Sequence, residues 1–547
     1  MRLTRPLATA TLVVSTIAIS ASTQRAQDPV NRIREADIKT DLFALAGDEM
    51  RGREGGTLDE MTASAWVAER ARAAGLQPAG DNGTYFQFFP LERFRVSASS
   101  PVNLAGKALR MGRDVVTDAV VLANVDAPVA LAQADALTGA AVKDRALVVR
   151  YAGSTGSTGS TSSTGAPQVG GANALRTWAR NLHRTATEQG VAATIVVVPD
   201  DAKEQWERVS FPFARGRYAL DPDGTAEQLT PTRGTPLLYV RESALRGSLD
   251  VRESALRGSL DVRESALRGS LDVRESAIGA GLAPDARVTA SIFTDSFTYP
   301  SVNIVAKVPG RDPKLRDEYV LFSAHQDHDG ERYTVNGDNI WNGADDNATT
   351  AVALLAIGRA MSASPGRRSA LFIWHGAEER GLMGSRWYVK HPTVPLESIV
   401  ACLNGDMMGR NDPKTAALLG ALPPHRNSPE LVDMAHAANK AVSQFVIDSS
   451  WDDPNHREGW YYRSDHLPYA RNGIPALFFS TLLHPDYHTP FDNPDRIDVA
   501  KLTKMTRWMY ATGRAVAEAD KAPAVDPAFK LERCRDSTGN YCEPRTP

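Results

Sequence analysis

At 547 residues the chain is long enough for more than one core, and its 62 basic and 65 acidic side chains leave a net charge of −3. That balance excludes nucleic-acid binding through bulk positive charge, and no polybasic stretch suits an anionic membrane. Apolar residues at 42% and charged ones at 23% belong to a folded globular chain, not a disordered or fibrous one.

The N-terminus reads as an address. Arg2 and Arg5 precede the apolar stretch 6–21, and Ser22, Thr23 and Gln24 follow it. A basic start, a short apolar run and small residues predict an export signal over 1–26, cut between residues 22 and 28, and a secreted or periplasmic protein. A spanning helix needs about 20 strongly apolar residues, and this run is diluted with Thr and Ser. No cysteine follows it, so no lipid anchor is expected. Of three cysteines, Cys534 and Cys542 sit in the polar tail CRDSTGNYC and are expected to pair after export, whereas Cys402 in IVACL reads as a small buried hydrophobe.

Along the chain, 27–95 reads as the N-terminal part of a catalytic domain, with a capping box at Thr57 and Glu60 opening a helix that stops near Gly75. From 96 to 290 short runs such as ALVVR and ATIVVV alternate with polar loops, which predicts an inserted β-rich domain. Within it, GSTGSTGSTSSTG (153–165) has no apolar residue to bury and reads as a loop. The unit VRESALRGSLD occurs at 240, 251 and 262 and restarts at 273, so the repeats run over 240–283. Stacked repeat folds need units of about 20 residues or more, so an 11-residue unit reads as a tandem duplication of one short helix without a function of its own. Residues 291–520 alternate apolar strand, turn and helix, with strands near 319–323, 369–374, 399–403 and 475–479 and a buried helix over 349–361. The pattern predicts an α/β fold, a mostly parallel mixed sheet sandwiched by helices, followed by a tail at 521–547.

The polar residues that could do chemistry follow those strands, where open α/β sheets bind ligands. AHQDHDG supplies His325 and Asp327, NGADDNA supplies Asp345 and Asp346, HGAEERG supplies Glu378 and Glu379, NGDMMG supplies Asp406, and HPDYHTPFD supplies Tyr487 and His488. Adjacent carboxylates beside an apolar core repel and lose hydration unless something positive compensates. Imidazoles and carboxylates converging on one rim suit zinc. One glutamate of the pair then ligates while its neighbour acts as base. The spacing His325-x-Asp327 suits a ligand histidine whose other ring nitrogen is held by a carboxylate. Asp346 reads as the cap of the following helix and His328 as a supporting contact. Ser464, Asp465 and His466 are adjacent in one loop, without a G-x-S-x-G elbow, so a serine triad is not expected. Trp341, Trp374 and Trp451 read as core packing.

Taken in this order, AHQDHDG, NGADDNATT, AEERGLMGS, NGDMMG, RSDHLPY and YHTPFD resemble the M28 family of zinc peptidases, which includes bacterial leucyl-type aminopeptidases. The resemblance covers roughly 291–510, with a lead-in over 35–90, and the insertion more weakly resembles a protease-associated domain. It implies a zinc-exopeptidase fold and two zinc ions per chain. His325 and Asp406 would hold one ion, Glu379 and His488 the other, and Asp345 would bridge them. Glu378 would be the general base, Asp327 would orient His325, and Tyr487 would bond the developing oxyanion. The implied substrates are peptides with a free N-terminus, with neither nucleic acid nor a stable membrane anchor as partner. The fold also admits a glutamate-type carboxypeptidase, a single-zinc glutaminyl cyclase or a non-catalytic, receptor-like binding protein.

Overall fold

The computed structural model describes residues 29–131, 142–151, 174–220, 231–245 and 286–531. The expected export signal, the Ser/Thr/Gly tract, the repeats beyond residue 245 and the pairing of Cys534 with Cys542 lie outside the described residues.

A ten-stranded sheet organises the main body. Its principal strands are β1 (Phe86–Val96), β2 (Arg217–Ala219), β3 (Thr294–Val308), β4 (Tyr319–His325), β5 (Ser369–His375), β6 (Ile399–Gly405), β7 (Thr415–Leu419), β8 (Val446–Ile447) and β9 (Ala476–Ser480). They lie in the order β8-β7-β9-β6-β4-β5-β3-β1-β2, and the short strand Gln77–Pro78 pairs with β3. The centre, β9-β6-β4-β5, is parallel, while β3 and β7 turn antiparallel on its two sides. The expected mixed, mostly parallel sheet is therefore found at the centre, with antiparallel flanks.

Both faces of that centre are covered, which is why YVLFSAH and SALFIWH are almost unbroken apolar runs. Strand periodicity divides their side chains between two layers: Ala370, Phe372 and Trp374 of β5 join one core, Leu371 and Ile373 the other. The first core is closed by helices α1 (Glu35–Leu45), α2 (Leu58–Ala73), α5 (Thr349–Ala363), α7 (Pro429–Val442) and α8 (Val499–Glu518), and the second by α6 (Met383–Lys390) and the short helix His466–Arg471. Thr57 caps α2 by accepting from the backbone N–H groups of Asp59 and Glu60. Cys402 is a buried free thiol in the second core.

The chain leaves this sheet after Val96 and re-enters it at Thr294, the two residues being paired across β1 and β3. Between them lies a separate eight-stranded sheet. Its strands Ala123–Leu131, Ala146–Arg150, Ala193–Val198 and Leu237–Arg241 run parallel, accompanied by α3 (Ala174–Glu188) and α4 (Lys203–Arg215). The expected β-rich insertion is found, with two α-helices accompanying its eight-stranded sheet. Leu175, Ala179, Leu182 and Ala186 recur at helical spacing and are buried on α3. Strand β2, which follows α4, departs from the insertion's own sheet and extends the main sheet at β1. That excursion brings the end of α4 over the main body.

Trp374 is fully buried and its indole N–H donates to Ala351 O at 2.8 Å, joining β5 to α5. Trp374→Ala should lower unfolding free energy by about 3–5 kcal/mol through the cavity left behind. Trp374→Phe, which keeps most of the volume and drops the donor, should cost less, about 1–3 kcal/mol. Denaturant midpoints of the three proteins check the order.

Candidate metal centre

Because β4, β5, β6 and β9 are parallel, their carboxyl ends share one rim. His325 ends β4, the turn Glu378–Arg380 follows β5, Asp406 follows β6, and the loop after β9 carries His484, Tyr487 and His488. The NGADD loop enters from the side, just before α5. Gly343 takes a left-handed φ of +57° there, and a Cβ at that position would lie 2.2 Å from His328 Cγ. Only glycine allows the loop to approach His328 this closely.

His325 Nε2 lies 3.2 Å from Asp346 Oδ1, 3.4 Å from Asp406 Oδ2 and 3.8 Å from Glu378 Oε2. His488 Nε2 lies 3.0 Å from Asp346 Oδ2 and 3.2 Å from Glu379 Oε1. Each oxygen of Asp346 therefore faces a different histidine, so this carboxylate, and not its neighbour, lies between the two candidate groups. The expectation that Asp345 bridges is corrected. Asp345 Oδ1 instead accepts from Gly409 N at 2.6 Å, and Oδ2 lies 3.4 Å from His484 Nε2. Nor does Asp346 cap α5, which starts without a side-chain cap. The two aspartates are chemically identical in the sequence. Non-helical dihedrals at Asp346 (φ −105°, ψ 88°) and Asn347 (φ −134°, ψ 37°) decide which carboxylate enters the centre.

Asp327 acts differently from its expected role. His325 Nδ1 pairs with the main-chain oxygen of Asp327 at 3.1 Å, whereas its carboxylate stays 3.9 Å from the ring. The Asp327 carboxylate accepts from the backbone N–H groups of Glu378 at 2.9 Å and Glu379 at 3.4 Å, and so fixes the paired glutamates. In the same loop His328 makes a supporting contact, as expected, and a second contributor, Asp329, escapes sequence reasoning. His328 Nδ1 lies 2.7 Å from Glu379 Oε1, and Asp329 Oδ2 lies 3.2 Å from His488 Nδ1. The only sequence signal for Asp329 is its proximity to His325 in AHQDHDG. Asp329 is itself surrounded by Arg215, Arg332 and Arg380. Burial works to raise its carboxyl, but His488 and Arg332 outweigh this and hold it well below the usual range. Ser464 donates to Asp406 Oδ2 at 2.8 Å and accepts from Asn404 Nδ2 at 2.8 Å, so it supports a ligand position and is no nucleophile. Tyr487, whose hydroxyl accepts from Arg463 Nη2 at 2.9 Å, lines a cavity of about 240 Å³ together with Asp346, Glu378, Glu379 and Trp460.

The donor set fits divalent cations. His325 Nε2, His488 Nε2, Glu379 Oε1 and Asp406 Oδ1 are buried atoms with no hydrogen-bond partner, an arrangement that costs free energy unless another partner arrives. Atoms of His328, Asp346, Glu379 and His488 cluster within 4.8 Å, as do those of His325, Glu378 and Asp406. Burial raises the Glu378 carboxyl well above the ordinary glutamate value, with Glu379, Asp465 and Asp406 adding repulsion.

Residues 303–513 match the model of peptidase family M28. The chain carries an M28 peptidase domain. A probable leucine aminopeptidase of Arthroderma otae is 26% identical over 238 residues, covering 40% of this chain and 58% of that protein. Aminopeptidase YwaD of Bacillus subtilis is 27% identical over 189 residues, covering 33% of this chain and 39% of that protein. The chain thus spans about half the length of the first of these relatives. The structure of BSAP, a zinc aminopeptidase from Bacillus subtilis, aligns over 91% of this chain and 99% of that one with a TM-score of 0.50 at 16% identity, a likeness of fold. Every histidine and carboxylate of the two clusters falls inside the M28 domain. Arg215, which touches Asp329, comes from the insertion.

Asp346→Asn should lose at least about 10-fold in divalent-metal affinity, the scale on which altered supports alone already act. Asp345→Asn should retain the metal while lowering the melting temperature, since it weakens the contacts to Gly409 and His484. Equilibrium dialysis with elemental analysis, alongside thermal melts, distinguishes the two aspartates.

Proposed function

We propose that this chain is an exported metallo-aminopeptidase that works with two zinc ions and releases the first residue of peptides with a free N-terminus. The observation that carries the reading is the position of Asp346, one oxygen 3.2 Å from His325 and the other 3.0 Å from His488, with Glu378 beside them. His325, Asp406 and Asp346 would hold one ion, and His488, Glu379 and Asp346 the other. When bound, zinc supplies Lewis acidity and lowers the pKa of water towards about 7.

The chain's own residues do the rest. Glu378 takes the proton of the attacking water and returns it to the leaving amine. The backbone bonds to Asp327 keep Glu378 in place. Tyr487 presents its hydroxyl to the oxyanion, and Arg463 donates to the phenolic oxygen from behind. The cavity of about 240 Å³ also has Leu382, Met407, Trp460 and Tyr462 in its wall, which suits an apolar first side chain. The carboxylate-rich rim favours a free amine over a blocked one. A single-zinc cyclase is disfavoured because it gives no task to a carboxylate shared between two histidines. Export rests on the basic and apolar N-terminal residues.

Glu378→Gln should keep its metal and lose at least about 10²-fold in kcat on aminoacyl-anilides, the loss expected when a general base is removed. Near-normal turnover by this variant would remove the role assigned to Glu378. Acetylating the N-terminus of a good peptide substrate should abolish its cleavage in a mass-spectrometric time course. Undiminished cleavage would point to a carboxypeptidase or an endopeptidase instead.

A further inference from the structure

A second cavity, of about 580 Å³, opens where the insertion meets the M28 domain, and Glu379 lines both it and the smaller pocket. Six arginines line it: Arg176, Arg215 and Arg217 from the insertion, and Arg332, Arg380 and Arg386 from the M28 domain. Four of them have carboxylate partners. Arg176 pairs with Asp118 at 2.8 Å, Arg215 and Arg380 share Glu54 at 3.2 Å each, and Arg332 pairs with Asp329. Among the described residues, neither Arg217 nor Arg386 has a carboxylate partner. Arg386, on α6, makes one long contact to Gly381 O at 3.4 Å. Arg217 and Arg386 are both solvent-exposed residues of the cavity wall.

Positive charge in excess of its partners, in a partly enclosed volume, draws anions. Guanidinium forks match the planar carboxylate and bind it through two parallel bonds. Phe211 and Tyr218 in the same wall give the carbon stem of such a group an apolar surface. Because Glu379 belongs to both cavities, a peptide whose first side chain fills the smaller pocket would have room to extend past Glu379 towards the arginines.

We propose that this cavity is a subsite for a carboxylate on the leaving portion of the peptide, either its C-terminal carboxylate or an acidic side chain close behind the cleaved bond. The insertion thereby selects short or acid-bearing peptides. This inference rests on the aminopeptidase reading of the metal centre.

The test uses the full chain and three peptides with the same first residue: Leu-Gly-Gly as the free acid, Leu-Gly-Gly amide, and Leu-Glu-Gly amide. At least one carboxylate-bearing peptide should exceed Leu-Gly-Gly amide in kcat/KM by about 10-fold or more, the scale of one charge-assisted hydrogen bond. The free acid and the glutamyl amide separate the two sources of the carboxylate. The advantage should shrink as sodium chloride is raised, and in Arg217→Gln and Arg386→Gln the ratio of acid to amide should fall towards one. Calorimetric binding of the same peptides to Glu378→Gln should give the same order without turnover. Equal kcat/KM for all three peptides in the wild type, or an unchanged ratio in both arginine variants, overturns the proposal. Failure to hydrolyse leucyl-anilide is a separate result that counts against the aminopeptidase reading. Calorimetry then still decides the subsite, because equal binding of acid and amide overturns it.

Discussion

Negative charge gathered at the carboxyl ends of parallel strands is the constraint on which this molecule depends. Asp346, Glu378 and Asp406 are buried, and the Glu379 side chain is only 7% exposed. Carboxylates removed from water in such proximity repel one another, and each gives up hydration that nearby partners must replace. His325, His328 and His488 supply part of the compensation, yet several ring nitrogens and carboxylate oxygens remain without hydrogen-bond partners. A donor set of this kind is stable when cations occupy it. The unsatisfied atoms therefore carry the functional argument further than any single motif.

Such a cluster needs a frame that does not relax. The parallel centre of the sheet, with unbroken apolar strands and helices on both faces, provides it. A second set of contacts then fixes the loops. Arg53, fully buried, donates to the main-chain oxygens of Leu45, Gln326, Asn342 and Gly343 at 2.7–2.9 Å, tying the loops that carry His325 and Asp346 to the lead-in segment. Burial pushes its guanidinium down to about 10, opposed by Asp327 and other nearby carboxylates, so it remains a cation at neutral pH. Asp327, Asp329 and Ser464 hold the glutamate turn, His488 and Asp406 in the same manner. Preorganisation of this kind places reacting groups before substrate arrives.

The insertion is structurally part of the same site. Strand β2 leaves the insertion's sheet to pair with β1, and the residue just ahead of it in α4, Arg215, reaches Glu54 and Asp329. Asp329 in turn faces His488. A continuous chain of charged contacts thus runs from the inserted domain to a side chain of the candidate metal centre, which gives the insertion a physical route to that centre.

The sequence by itself determined the strand cores, the buried helix and the rim they create, because apolar periodicity and the positions of AHQDHDG, HGAEERG and NGDMMG are local properties. It also determined that His325, Glu378, Glu379, Asp406 and His488 belong to one centre, through residue types suited to cations at the ends of strands. The identity of the shared aspartate was decided only by tertiary structure, since Asp345 and Asp346 are indistinguishable until the backbone turn before α5 orients one of them inward. The roles of Asp329 and Arg53 came from the same source. Each acts through partners distant in sequence or through the direction a ring nitrogen faces, and neither composition nor spacing encodes a direction in space.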